Sequence, residues 1–320
     1  MSGAVYHGSG AADYNYTISN SYEGLYQTLF YITLASYTLL ISQKQAQSKT
    51  FAAYFRGIPL IFWICVSLFL ILRLFSGDRG PVIYGCLAIV YAYIWFSKVR
   101  FKFFTVVIAL IIGASFVSFW GTYRMRSTKL SITEKIYDSI DRRKELDKKS
   151  ILPFTEELAK SEDTHFMAIR DISTRKTDHT YGKFTLFSLP SAIPGLKSQY
   201  LYNIGFKPEE INSANYFSVS SMGGNYSYGE GSSMFGEAYL EFSIFGMILF
   251  GFLLGSIYKQ LDFSLMQSSH ISIIGLAVIL KLSAKAIYMG RTSFAIELGS
   301  ILHMIMMYFI ISIVVKLMPK

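Results

Sequence analysis

Apolar runs that could cross a bilayer fill both ends of this chain, and one polar stretch, about Gly121 to Met234, separates them. A hydrocarbon core of about 30 Å asks for roughly 20 apolar residues at about 1.5 Å each. Runs of this kind fall at about Tyr22 to Ser42, Ile58 to Phe75, Val82 to Phe96 and Phe103 to Trp120, and then at Phe235 to Tyr258, Ile271 to Tyr288 and Leu298 to Leu317. In lipid the backbone must satisfy its own hydrogen bonds, so such segments are expected to be helices. The expectation is an all-α polytopic membrane protein of about seven transmembrane helices with one long helical loop. Residues 1–120 hold four spans, 121–234 the loop and 235–320 three spans.

With 52% hydrophobic and 16% aromatic residues in 320, the chain is too apolar for an ordinary soluble domain. Its net charge of +9 does not point to nucleic acid, because no basic-aromatic reader motif accompanies it. Basic residues here flank apolar runs, as positive-inside anchoring requires. Cys65 and Cys86 both lie in apolar runs and read as small hydrophobes, and neither HExxH nor CxxC spacing occurs, so no metal and no cofactor is expected.

Short loops carry the orientation signal. Lys44, Lys49 and Arg56, then Lys98, Arg100 and Lys102, then Lys259, then Lys316 and Lys320, fall on one side if the spans alternate, and that side is expected to be the cytoplasm. The amino terminus, the Gly77-Asp-Arg-Gly80 connector, the long segment and the Gly290-Arg-Thr-Ser293 connector then share the outer side. The start, Met1 to Ser21, has no basic region and no cleavable apolar core. A translocated start without a signal and an odd span count suggest that upstream spans are missing or that the start is internal.

Inside the long segment, Ser131 to Lys149 is amphipathic with Ile132, Ile136, Tyr137 and Ile140 at helical spacing, and Phe154 to Ile172 repeats the pattern with Leu158, Phe166 and Ile169. After Asp178 the sequence turns aromatic and turn-rich, with Leu189-Pro and Ile193-Pro-Gly, and reads as an irregular loop.

Ionisable groups at the ends of membrane spans mark functional sites. On the outer half this topology collects Arg73, Arg79, Arg124, Arg126, Lys281, Lys285 and Arg291, a cationic basin suited to a multiply charged phosphate group. Lys281 and Lys285, four apart, share one helix face, as do Glu237 and Glu241. The bland alternative is that Arg73 and Lys285 snorkel to the interface while Glu241 pairs with Lys281 for structure alone. The glycine-rich run Gly223-Gly224 and Gly229-Glu-Gly231 fits no nucleotide-binding pattern, although its amides and the following helix start could approach an anion.

Four features in this order resemble the bacterial oligosaccharide repeat-unit polymerases (O-antigen, or Wzy-type, polymerases). They are Ser76-Gly-Asp-Arg-Gly80, Arg124 with Arg126, the loop Tyr181 to Pro194, and Gly229-Glu-Gly-Ser-Ser-Met-Phe-Gly-Glu-Ala-Tyr-Leu-Glu-Phe-Ser-Ile-Phe-Gly246. The last is the most specific, and together they cover about Arg73 to Gly255. The chain departs from the family in its smaller number of spans and in Gly195, where many members carry an arginine after Ile-Pro.

The resemblance implies a GT-C-like membrane glycosyltransferase of the bacterial inner membrane, its long loop periplasmic, acting on undecaprenyl-pyrophosphate-linked oligosaccharides. A chain-length regulator and a flippase are the partners this chemistry brings. A sugar hydroxyl would attack the anomeric carbon of the growing chain and undecaprenyl pyrophosphate would leave. Arg79, Arg124, Arg126 and Arg291, with Lys285 and Lys281, would hold the pyrophosphate. Glu230, Glu237 or His179 would take the proton. Two other readings remain: a transporter or flippase of a lipid-linked or acidic solute, and an O-antigen ligase using a loop histidine, His165 or His179, as base.

Overall fold

The computed structural model describes residues 14–44, 50–75, 80–99, 101–105, 108–109, 111–113, 115, 134, 137, 140–141, 156–193, 201, 203–222, 231–267, 271–286 and 292–317. Among these, every regular element is helical. Four helices among them are long and apolar enough to cross a bilayer, over Gly24–Gln43, Gly80–Ser97, Met234–Ser264 and Phe294–Leu317, and the bent pair Phe51–Gly57 with Leu60–Arg73 is a fifth if it counts as one broken span. Half of the expected fourth span, Phe103 to Trp120, and most of the charged stretch Ser131 to Lys149 fall outside the described residues.

The membrane part opens with α1 (Tyr14–Lys44), followed by the short α2 (Phe51–Gly57), α3 (Leu60–Phe75) and α4 (Gly80–Ser97). Thr50 starts α2 by accepting a hydrogen bond from the Ala53 amide. Pro59 then forbids helical backbone at Ile58, and α3 leaves at 96° to α2. That corner is braced by Phe55 stacked on Trp63, whose indole N–H donates to the Phe55 carbonyl at 3.1 Å.

After the helices of the polar segment come α9 (Met234–Gln267), α10 (Ile273–Lys285) and α11 (Phe294–Leu317). The expected sixth span is present as α10, whose 13 described helical residues cover about 20 Å. This helix is enclosed, packed against α1, α4, α9 and α11. Small residues make this possible: Ala35 of α1, Ala88 and Ala92 of α4, and Ala277 and Ala284 of α10 are all buried in one cluster with Leu34, Leu276 and Leu280. Small side chains let membrane helices approach closely where hydrophobic exclusion gives no drive.

The polar segment folds into α5 (Glu156–Ser173), α6 (Lys183–Ser188), a 3-10 turn (Leu189–Ala192), α7 (Pro208–Ile211) and α8 (Ser213–Met222). The stretch after Asp178, expected to be irregular, is therefore a chain of short helices as far as described, because glycine and proline there start and stop turns. A second core of Met167, Ala168, Phe184 and Phe217 joins these helices to Leu240 of α9 and Ala295 of α11. We call this group the cap. It sits on the amino-terminal ends of two span helices.

Helix α5 is turned opposite to what its apolar pattern suggests. Phe166 and Ile169 are exposed, at 66% and 44%, whereas Thr164, Met167, Ala168 and Asp171 face inward. A Cβ at Gly236 would come within 3.2 Å of the Thr164 carbonyl, so α9 approaches the α5 backbone itself. That approach admits only the slimmer face of α5.

Candidate functional site: the junction between cap and membrane

Helix α9 is broken at Phe242 (φ −140°, ψ 21°) and Ser243 (φ 61°, ψ −155°). The two halves fold back so tightly that a Cβ on Gly246 would lie 2.3 Å from the Ala238 carbonyl oxygen, which only glycine avoids. A break strands the carbonyls that precede it. Here the cap takes them: the Thr180 amide donates to the Leu240 carbonyl at 2.9 Å and the Tyr181 amide to the Glu241 carbonyl at 3.1 Å.

The Glu241 side chain completes the joint. Its two oxygens accept from the Thr185 amide and the Thr185 hydroxyl, each at 2.9 Å, at the start of α6. Gly182, the residue before α6, has no side chain to cap the helix and stands at φ 83°. The carboxylate from α9 supplies that cap, favoured by the positive end of the helix dipole. Glu241 does not pair with Lys281: it lies next to the break and is spent on α6.

Glu237, one turn earlier, plays the same part for α11. One oxygen accepts from the Ala295 amide at 2.9 Å and the other from the Ser213 hydroxyl, which also bonds Ser232 at 2.7 Å. The carboxyl is fully buried with both oxygens engaged, so as placed it ties α8, α9 and α11 together. Glu230, the other carboxylate of the sequence reading, lies outside the described residues.

The opposite face of 234–241 is open. Phe235 and Tyr239 line an apolar groove that begins at His165 and Phe166 on α5 and continues past Ile169 and Met247. Its adjoining part, about 520 Å³, reaches Ile244 and Ile248 on the membrane half of α9. His165 bonds the Ser233 hydroxyl through Nε2 at 2.8 Å, and that hydroxyl caps α9.

His179 flanks Tyr239 and Tyr181, with ring centroids 6.1 Å from each. Its Nδ1 lies 3.2 Å from the Leu240 carbonyl, which can only accept, so Nδ1 carries the proton. In the neutral ring the lone pair then belongs to Nε2, which makes no hydrogen bond among the described residues. The broken helix thus fixes the tautomer of a half-buried histidine at the edge of the junction.

The cap is fastened internally by Asp171, a residue the sequence reading did not single out. It accepts from Arg170 Nε and Nη2 at 2.9 and 2.8 Å, from the Tyr216 hydroxyl at 3.0 Å and from Ser220. Burial pushes its carboxyl up, but the bonds from Ser220, Arg170 and Tyr216 and the nearby Lys176 charge outweigh it and hold the group below the usual aspartate range. Burial, reinforced by this carboxylate, pushes the Tyr216 phenol up.

The expected cationic basin divides. Lys281 is fully buried inside the bundle, bonded to Ser300 and 5.9 Å from the Tyr31 ring centroid. Lys285 pairs with Glu297, which also accepts from the Thr292 hydroxyl at 3.1 Å, and stands 5.1 Å over the Tyr84 ring. Both lysines do share one face, but it looks onto α11 and not onto an open surface, and Lys285 does not snorkel. Arg73 is partly buried at the end of α3, 5.6 Å over the Phe69 ring. Arg79, Arg124, Arg126 and Arg291 lie outside the described residues. Among the described residues no group of three or more His, Cys, Asp or Glu could hold a metal.

Comparison with protein-family models, curated proteins and solved structures finds no match to this chain. Its helices define the class: a helical membrane protein with four or five segments long and apolar enough to span a bilayer.

Proposed function

We propose that the chain is a membrane-embedded glycosyltransferase that polymerises undecaprenyl-pyrophosphate-linked oligosaccharide repeats at the periplasmic face of the bacterial inner membrane. The reading includes seven spans, a GT-C-like arrangement and a periplasmic cap. Its support begins in sequence: the stretch that most resembles repeat-unit polymerases, as far as it is described (231–246), builds the junction of cap and membrane.

The observation that carries it is His179, whose Nδ1–H is committed to the Leu240 carbonyl, leaving Nε2 as a base at the mouth of the junction. The acceptor sugar hydroxyl attacks the anomeric carbon of the growing chain. The new glycosidic bond forms, the bond from that carbon to the pyrophosphate oxygen breaks, and the hydroxyl proton passes to Nε2. Arg79, Arg124, Arg126 and Arg291 are assigned to charge developing on the departing pyrophosphate.

His179→Ala in the producing strain should leave single repeats on the acceptor lipid in place of the long-chain ladder. His179→Gln, which can still donate to the Leu240 carbonyl but cannot take a proton at neutral pH, should do the same. An unaltered ladder from a normally expressed Gln variant would remove His179 from the chemistry.

A transporter or flippase of a lipid-linked or acidic solute is the second reading, and one observation favours it. Lys281, Lys285 and Glu297 form a charged group within the bundle, and Glu297 Oε2 is buried without a hydrogen-bond partner among the described residues. Charges placed inside a membrane bundle commonly mark solute pathways. Transport of a labelled lipid-linked sugar by reconstituted protein, abolished by Glu297→Gln while His179→Ala is neutral, would decide for it.

A further inference from the structure

The cap's outer surface carries large apolar side chains where a water-facing domain would have polar ones. Phe166 and Ile169 on α5, Leu186 on α6 and Leu189 in the 3-10 turn are exposed, and Tyr181 between them is 73% exposed. These residues do not scatter over the cap. They come from α5, which packs on α9, and from the segment Tyr181 to Leu189, which begins where the chain grips the break in α9.

Their level relative to the bilayer follows from what they adjoin. Beyond the break, α9 presents Ile244, Phe245, Ile248, Leu249, Phe252 and Leu253 outward, the lipid-facing side of a membrane span. Ile169 shares one groove with Ile244 and Ile248, so the outer edge of α5 runs directly into that band. On the other side a Cβ on Gly182 would lie 3.3 Å from the Phe242 ring, and Tyr181 is bonded to the Glu241 backbone. Helix α6 and the 3-10 turn also pack on α11, a second span helix. Two separate contacts therefore set α5 and α6 at the height where lipid-facing surface begins.

We propose that the cap rides in the bilayer and not above it: Phe166 and Ile169 on one side, and Tyr181, Leu186 and Leu189 on the other, insert into the boundary between headgroups and acyl chains. Helices with apolar residues on one side lie in that layer by burying their apolar face, and tyrosine is enriched there. The occupant of this surface is lipid, because the surface is continuous with the lipid-facing side of α9. Immersion would also fix the groove between α5 and α9 as a lateral opening at membrane level. The proposal stands independently of the glycosyltransferase reading.

The test uses the full-length protein with Cys65 and Cys86 replaced by Ser, carrying one cysteine at a time. F166C, L186C and, as a reference on an exposed polar position of the cap, R175C are labelled with a small fluorophore. Each is placed in nanodiscs of phosphatidylethanolamine and phosphatidylglycerol. Nitroxide-bearing lipids should quench the labels at 166 and 186, with a ratio of lipid to iodide quenching several-fold above that at 175. Iodide quenching at 166 and 186 equal to that at 175 would overturn the proposal by placing the surface in water. Protection from both quenchers would overturn it too, by showing that protein covers the face. Neither result depends on whether His179→Ala alters the glycan ladder.

Discussion

Glu237 and Glu241 on one side, and Glu297 on the other, are buried carboxylates in the same membrane chain with different kinds of partner. The first two accept from backbone amides and hydroxyls at the starts of α11, α8 and α6. Glu297 faces the Lys285 ammonium across two bundle helices. A helix start offers partial charge from groups that belong to the fold, so it can hold an anion without burying a second full charge. An ammonium brings its own desolvation cost, and either member of the pair is unfavourable when left alone. The cap is joined to the membrane by the first kind of contact, and the bundle interior is charged by the second.

That difference predicts an order of damage. Glu297→Ala strands a buried ammonium and should cost about 3–5 kcal/mol. Thermal unfolding in detergent would measure it, and replacing Lys285 and Glu297 together by Met should recover most of the loss. A double variant as unstable as the single one would show that the pair is not what makes Glu297 costly to remove.

Glu237→Ala strands neutral donors, the Ala295 amide and the Ser213 hydroxyl, and should cost less, about 2–3 kcal/mol. Hydrogen exchange should quicken at 294–297 and across 213–222 while 273–285 stays protected. Equal loosening of α10 would mean that cap and bundle are not separately held.

The smallest effect is confined to the cap and depends on pH. The Asp171 carboxyl sits below its ordinary range in the folded chain, so as pH falls the unfolded chain takes up its proton first. The stability Asp171 contributes is therefore complete above the ordinary aspartate pKa and is lost as pH drops through the lower folded value. Limited proteolysis of the cap from neutral pH into acid should show this loss, and Asp171→Asn should lower resistance at neutral pH and flatten the acid limb.

Hydropathy made the spans legible because length and apolarity are local properties. Phe235 to Tyr258 was a run in the sequence, yet nothing at Phe242-Ser243 marks a break, since neither residue is proline or glycine. The sole sign is Gly246, and its meaning depends on a carbonyl eight residues back that only the fold brings near. The α5 periodicity disclosed a helix but not which side faces in, because bulky apolar residues suit a lipid boundary as well as a core. Glu237 and Glu241 were legible as a pair on one helix, whereas their partners Ala295 and Thr185 donate through backbone amides, which every residue but proline possesses. Lys281 and Lys285 were legible as costly charges in an apolar run. Their partners Ser300 and Glu297 lie on another helix, and no spacing along the chain indicates them.

The break in α9 has a consequence for how this protein can vary. Thr180 and Tyr181 grip the helix with main-chain amides, so the joint limits those positions through the backbone: proline is excluded at both, and Tyr181, at φ 48°, also disfavours β-branched residues. A connection written in backbone is robust to drift in a way that a side-chain lock is not. The cap can change its surface while remaining hinged at the same two carbonyls.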